Sequence, residues 1–340
     1  MTKMRSAIKT YLLRFSATYR LLEGYRLYSS YFQDIKRFSK HSGVYGQRRT
    51  ESLEAHIVMD LHRLEKGMTL PAPRPWFGRD VVDRLLKNCR QYAFLADADP
   101  SIVAAAVSVL DQYADTFGGS DVERASTIRA KSRSMAEGVH LDPMVRAGAI
   151  PHLSLRSDSG GSRSFLEFAE SRSSVRSFAE ALVPEATLTD AIRAAQFSPS
   201  VCNRQATLVR IFRRGDDANN VLKLQNGNRG FGHSASHVLM ITYDNAAFMK
   251  PGERNQGFID AGLFVMSLLY ALHDLGVDSC CLNWSATSLE DSRMRSAASV
   301  PEHETIVVLI AVGYAASGSK VTVSPHKTLS RVIVRGGEDQ

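Results

Sequence analysis

Two segments decide how this 340-residue chain reads: Arg172-Ser173-Ser174-Val175-Arg176-Ser177-Phe178 and, about one helix downstream, Ser198-Pro199-Ser200-Val201-Cys202-Asn203-Arg204-Gln205. The first places two guanidinium groups and three hydroxyls within six residues. Arginine supplies a planar fork of donors and serine adds short, adjustable ones, a set that suits a phosphate. The second offers amide side chains and loop backbone to something planar and polar. Alone, the arginines read equally well as solvated surface charges; the second segment, following in order, tips the reading toward a bound ligand.

Outward from these segments, the length exceeds one average domain, so one large domain or two smaller ones are expected. Cys89, Cys202, Cys280 and Cys281 form no C-x-x-C pair and no metal-ligand spacing, which argues against a zinc site and a disulfide framework and suits a reducing cytoplasm. The start, Met1-Thr2-Lys3-Met4-Arg5, leads into a segment studded with Arg and Tyr, unlike a secretory signal. The longest apolar run, Ala261 to Leu272, is interrupted by Ser267 and flanked by charge. It is shorter than the roughly 20 residues of a membrane span and reads as a buried helix.

The net charge of +7 is local: residues 1 to 50 carry eleven Lys or Arg against Glu23 and Asp34. From Ile8 to about Phe38, apolar residues recur at three- and four-residue spacing, predicting an amphipathic helix or a pair broken near Gly24. Its basic face fits an anionic membrane surface or packing on its own domain. No recognition motif for nucleic acid accompanies the charge. Residues 51 to 70 read as a helix stopped by Pro71, Pro73 and Pro75. It carries His56, Asp60, His62 and Glu65, a set in which a metal site is conceivable; but His56 and Asp60 share a face while His62 and Glu65 project elsewhere, so an exposed charged face is the favoured reading. Helical patterns continue over 81–96, 101–117 and 122–137. The Ser- and Gly-rich stretch Ser154 to Ser164 predicts a flexible connection, dividing a helical region, 1–155, from a second domain, 160–340. There a helix is expected from about Thr187, strands over Leu208–Phe212, Val238–Tyr243 and Thr305–Val312, and a long helix from about Gln256 to Leu275 with Gly276 as its stop.

Residues 171–178 resemble the R-R-S-x-R-x-F pattern that members of the nitroreductase family carry on a helix near the domain start. The resemblance assigns Arg172, Ser174 and Arg176 to the phosphate and ribityl of FMN, with Ser173 standing where a second Arg is common. The downstream segment resembles the family's A-P-S-x-x-N-x-Q loop, which implies that Pro199, Ser200, Asn203 and Gln205 approach the flavin, often from the partner subunit. Ala206-Thr207 replaces the usual Pro-Trp. Asn228 and Arg229 are the flavin contacts implied in Gln225–Phe231, although Gly227, Gly230 and Gly232 fit a purely turn-forming role equally well. Leu275–Trp284 resembles the loop over the flavin N5 edge, implicating the backbone of Cys281, Leu282 and Asn283. Cys281 reads as a small buried hydrophobe in preference to a nucleophile, and His273 as a structural histidine. A last basic residue for the phosphate is implied at His326 or Lys327, with Lys320 as a further option. His62-Arg63-Leu64-Glu65-Lys66-Gly67, with the proline-rich stretch after it, is similar to a leader in family members associated with bacterial surface-polysaccharide genes.

The resemblance implies an α+β fold with a central, mainly antiparallel sheet flanked by helices and preceded by a helical region. It also implies a homodimer with FMN at the interface, and ping-pong turnover in which NAD(P)H reduces the flavin and a small organic acceptor reoxidises it. No acid–base residue and no metal ligand is assigned. The alternative is a flavin-binding interaction protein at a membrane surface. Other motifs fail: Gly232–Ser236 ends in Ser where a nucleophile elbow needs Gly, Ser319 interrupts the phosphate-loop pattern of Gly313–Lys320, and no G-x-G-x-x-G opens a strand–helix unit.

Overall fold

A computed structural model describes residues 17–41, 50–152 and 164–336. In the helical region, α1 spans Ala17–His41, α2 Thr50–Met68, α3 Arg79–Ala93, α4 Pro100–Gly118 and α5 Val122–Met135. α4 and α5 start where Asp99 and Asp121 cap them, accepting from Ser101 N and Arg124 N, each at 2.9 Å. The apolar stripe Leu53, Ile57, Leu61, Leu64 and Met68 turns one face of α2 into a core shared with Leu85, Tyr92, Leu110 and Tyr113. Tyr113 is its aromatic hub, with the rings of Trp76, Phe77 and Phe117 at 5.7, 5.4 and 5.1 Å. Gly67 is needed there, because a Cβ would sit 2.1 Å from the Phe77 ring.

The expected break near Gly24 does not occur: α1 runs through it without interruption. The residues before Ala17, including the start of the predicted amphipathic pattern, lie outside the described residues. α1 leaves Tyr25, Tyr28, Phe32, Ile35 and Phe38 exposed and is tied to the rest of the chain by Asp34, which takes two hydrogen bonds from Arg254 at 2.7 and 2.9 Å.

After β1 (Ala149–Pro151) and α6 (Phe165–Ser171) come α7 (Glu185–Ala195), β2 (Thr207–Arg213), α8 (Asp216–Leu224), β3 (His237–Asp244), α9 (Gln256–Asp274), β4 (Asp278–Asn283), α10 (Ser288–Ala298), β5 (Glu304–Gly313) and β6 (Lys320–Thr322). Four strands form an antiparallel sheet in the order β2-β3-β5-β4. Both faces are covered, which is why β3 and β5 read as unbroken apolar runs. Val238, Met240, Leu309 and Ala311 pack toward α8 and α10, whereas Leu239, Ile241, Ile310 and Val312 pack toward α7 and α9.

The three predicted strands and the long helix are present. The fourth strand is a correction: Asp278–Asn283, expected as a loop, pairs with β5 along its length. α9 also departs from the expectation of a buried helix, because Phe258, Ile259, Leu263 and Met266 are exposed opposite its core face. The segment Pro251–Asp274 has a mean hydropathy of 1.2 and the length to cross a membrane, yet Ala261, Phe264, Leu268 and Leu272 lie in the core.

The predicted flexible connection falls almost wholly outside the described residues, but the regions on either side of it interlock. β1 pairs antiparallel with β6, His152 Nε2 lies 3.0 Å from Asp278 Oδ1, and Glu65 of α2 accepts from Gly148 N at 2.7 Å and Ser324 N at 3.2 Å.

Candidate functional site

Arg172 caps the end of α6 in an extended conformation, and the chain beyond it stays extended, whereas the family pattern predicts a helix. It runs beside β4, with Val175 N donating to Ser279 O at 3.1 Å, Ser174 bridging to Ser279 and Phe178 to Ala315. The sequence accounts for this. Val175 and Phe178 are core residues of the sheet layer, and i, i+2, i+4 spacing puts Arg172, Ser174 and Arg176 on one side of an extended chain, where a helix would turn Ser174 away from the two arginines.

Arg176 is only 6% exposed. Its guanidinium makes two long contacts, Nη1 to Ser174 O and Nη2 to His62 Nε2, both at 3.4 Å, and its buried Nε has no partner. Because a guanidinium only donates, His62 Nε2 accepts; this assigns the ring proton to Nδ1, which faces Glu65 Oε2 at 3.4 Å. Lys66, one turn further along α2, donates to Gly227 O at 2.5 Å and lies 5.7 Å from the Phe231 ring centroid. Burial, then the Arg176 charge, hold the Lys66 pKa below its ordinary value. Among the described residues no carboxylate forms an ion pair with Arg172, Arg176 or Lys66. Cys280 sits beside these cations, yet burial raises its thiol pKa.

The loop after α8 meets the same place. Gln225 Nε2 donates to Asn283 O at 2.8 Å, and Gln225 Oε1 accepts from Gly227 N at 2.6 Å. Asn228 is buried, its amide donating to Leu222 O at 2.7 Å and Gln225 O at 2.5 Å, so its N–H groups close the helix end. Gly230 adopts a φ of +86°, as a turn glycine does, and Arg229 is exposed. A cavity of about 230 Å³ opens between Gln225, Gly227, Asn283, Trp284 and Glu290. On β4, Leu282 is in the core and Cys280 is the buried member of the cysteine pair. Cys281, expected to be buried, is exposed; its neighbours still desolvate the thiol and push its pKa up to about 11, so it is protonated at neutral pH.

The Ser198–Gln205 loop lies along α9 between Asp260 and Ser267. Cys202, Asn203 and Gln205 hold φ values of 50°, 54° and 50°, three strained non-glycine residues in one short loop. Ser200 Oγ accepts from Gln205 N at 3.2 Å, Gln205 Nε2 donates to Asn203 Oδ1 at 3.0 Å, and buried Asp260 accepts from Val201 N at 3.2 Å. Pro199, Ser200, Gln205, Asp260 and Phe264 line a cavity of about 250 Å³. Ser171, next to Arg172, bonds His273 at 2.8 Å near the C-terminal end of α9, whereas the loop is tied to Asp260 through Val201 N and to Ser267 through Ser198 Oγ at 2.7 Å. The two loop attachments lie thirteen and six residues of helix before His273, about 20 and about 9 Å. Among the described residues no hydrogen bond joins the two motifs within one chain.

The tail departs from the expectation. His326 is exposed, and Lys327 Nζ pairs with Glu54 Oε1 at 3.0 Å in place of reaching the Arg172–Arg176 segment. Lys320 is exposed on β6, opposite Pro151. Sequence reasoning passed over Lys66, His62, Gln225 and Asp260. For His62 and Lys66 the one available signal is His62–Gly67, whose Arg-, Glu- and Lys-rich pattern stands out without a chemistry. The metal reading of α2 also changes: Asp60 and Glu65 are fully buried, not on an exposed face, with Asp60 clasped by Arg84 at 2.7 Å through both oxygens. No group of three metal-ligating side chains occurs among the described residues.

The donor set fits a phosphorylated flavin. A buried guanidinium with an orphaned N–H and a half-buried ammonium, neither with a counter-ion among the described residues, are what an anion would satisfy, and Ser173 and Ser174 stand partly exposed beside them. The family model of the nitroreductase family matches residues 169–224 and 211–314. None of the curated proteins matches the chain. Among solved structures it is similar to a nitroreductase family protein from Streptococcus pneumoniae TIGR4, at 22% identity and TM-score 0.44, covering 51% of this chain and 100% of that one. It is also similar to an FMN-dependent nitroreductase from Clostridium difficile R20291, at 18% identity and TM-score 0.43, covering 51% and 99%.

Proposed function

Residues 169–314 form a nitroreductase-family domain, and on that premise we propose that the protein is an FMN-dependent oxidoreductase that takes hydride from NAD(P)H and delivers it to a small organic acceptor. The observation that carries this reading is Arg176, a buried guanidinium with an unpartnered Nε, beside the half-buried Lys66. When bound, FMN would supply the hydride carrier. The chain's own part is binding and tuning. Arg172, Ser173, Ser174 and Arg176 hold the anionic end, and the Gln225–Asn283 link fixes the backbone of β4 against which a ring would lie. With no hydrogen bond joining the two motifs within one chain among the described residues, the Asn203 loop would complete the site from a second copy of the chain, so the working unit is a homodimer. The reducing cytoplasm is its proposed location.

An anaerobic reductive titration tests this. Purified protein should be yellow and bleach when NADH or NADPH is added; a colourless protein that fails to take up FMN would refute it. A second reading, a flavin holder at a membrane surface, draws on α1, whose exposed Tyr25, Tyr28, Phe32 and Phe38 suit a lipid interface. Flotation with anionic vesicles, combined with stable flavin that no nicotinamide reduces, would favour that reading.

A further inference from the structure

The geometry points to Lys66 of the helical region as the second cation of the Arg176 anion pocket, so that the FMN site is built from both parts of the chain; this rests on the flavin reading above. Arg176 comes from the segment along β4 and Lys66 from the last turn of α2, 110 residues earlier in sequence. Arg176 is buried and Lys66 half-buried, neither has a carboxylate partner among the described residues, and Arg176 raises the cost of charging Lys66. Two like charges brought together away from water are unfavourable unless an anion joins them. The groups packed against the pair do not supply one: His62 offers the lone pair of Nε2, Phe231 a ring face, Gly227 a carbonyl and Cys280 a protonated thiol.

The side chains behind the pair are spent on holding it. Glu65 takes Gly148 N and Ser324 N and faces His62 Nδ1, and His62 in turn faces Arg176. His62-Arg63-Leu64-Glu65-Lys66-Gly67 is thus a single device: Leu64 and Gly67 seat α2 in its core, Glu65 and His62 steady the guanidinium, and Lys66 is left to meet the ligand. The tail's basic residue, which the family pattern implies for the phosphate, is engaged by Glu54. Lys66 stands in its stead.

The ligand chemistry is an anionic group of FMN, either the phosphate or the ring edge that gains charge on reduction. Full-length Lys66→Gln is compared with wild type and with Lys131→Gln, an exposed position on α5, for FMN and riboflavin affinity by fluorescence quenching and for midpoint potential by dye equilibration. A tenfold or larger loss of FMN affinity with riboflavin binding unchanged identifies the phosphate. Unchanged affinity for oxidised FMN with a tenfold loss for the reduced form, a fall of about 30 mV, identifies the ring edge. Wild-type affinities and potential in Lys66→Gln overturn the assignment, whereas wild-type protein that binds neither flavin overturns the functional reading itself. If Lys66→Gln does not fold, acetylation of Lys66 in the wild-type protein decides. Saturating FMN should slow it at least tenfold relative to Lys131, and equal labelling with and without FMN refutes the proposal.

Discussion

Two clusters of charge join α2 to later parts of the chain, one to the C-terminal tail and one to the segment beside β4, and they are built in opposite ways. Glu54, buried in α2, accepts from Arg331 at 2.6 Å and from the Tyr92 hydroxyl at 2.9 Å, with Lys327 at 3.0 Å, and Arg331 also reaches Asp99 at 2.8 Å. Three turns along the same helix, Lys66 and Arg176 face each other's charge with no carboxylate partner among the described residues. A closed cluster of this kind fastens the tail over the helices. An open one costs stability until something anionic arrives. The contrast separates residues that hold the fold from residues that await a ligand, although both sets are Arg, Lys and Glu in the sequence.

The largest effect should come from emptying the open cluster. Arg176→Met removes charge-assisted hydrogen bonds worth roughly 1.5–3 kcal/mol and should weaken FMN binding about 10- to 150-fold. The unliganded variant should melt at a higher temperature than wild type, because an unpaired buried charge is gone. Scanning fluorimetry without flavin checks the sign. A lower melting point would show that Arg176 is a structural residue and erase the distinction.

Glu54→Gln is the mirror experiment. It uncouples Arg331 and Lys327 from the helices and should lower the unfolding free energy by about 2 kcal/mol in a urea titration, leaving FMN affinity within twofold of wild type. A parallel loss of FMN would mean that the tail, not Lys66, serves the site.

The clusters should also respond to opposite ends of the pH scale. Burial works against ionised Glu54, but bonds from Arg331, Lys327 and Tyr92 prevail and hold its pKa below 4.5; Asp99 is likewise held below 3.8, its bonds to Ser101 and Arg331 outweighing burial. Their stabilisation is complete above the unfolded values and fades as pH falls through the depressed folded ones. Lys66 has the reverse sign. Its folded pKa is lowered by burial and by Arg176, so between that value and 10.5 the unfolded chain holds more protons and stability rises with pH. Melting curves across pH should show the acid loss with or without FMN, and the alkaline gain only without it.

The sheet and helices were legible because they rest on local periodicity. β3 and β5 are uninterrupted apolar runs, α4 and α5 begin at Asp caps, and α2 ends before a proline cluster. Of the site, the residue types in Arg172–Arg176 were legible but not their backbone, since i, i+4 spacing suits a helix and i, i+2, i+4 suits a strand; the decision falls to Val175 and Phe178, which the sheet layer buries. β4 was read as a loop because Asp278, Ser279 and the two cysteines carry little strand signal, and its pairing with β5 is non-local. Lys327 was taken for a phosphate ligand since nothing near it in sequence announces Glu54, 273 residues away. Lys66 was missed for the same reason, as proximity to Arg176 is a property of how α2 docks.

A third ion pair tests how far the comparison extends. Asp34 and Arg254 tie α1 to the turn before α9, but both are partly exposed, so the pair is screened and its loss is shared with water. Asp34→Asn should move the melting midpoint by less than about 2 °C, the smallest effect in the set. Its consequence should be local. Amide exchange over residues 17–41 should quicken, while the cores around Tyr113 and β3 keep their protection, because α1 offers Tyr25, Phe32 and Phe38 to solvent and little to either core. A global drop of several degrees would place α1 among the elements that hold the fold, alongside Glu54, whereas a local response sets it with Lys66, as a part of the chain whose partner is something other than itself.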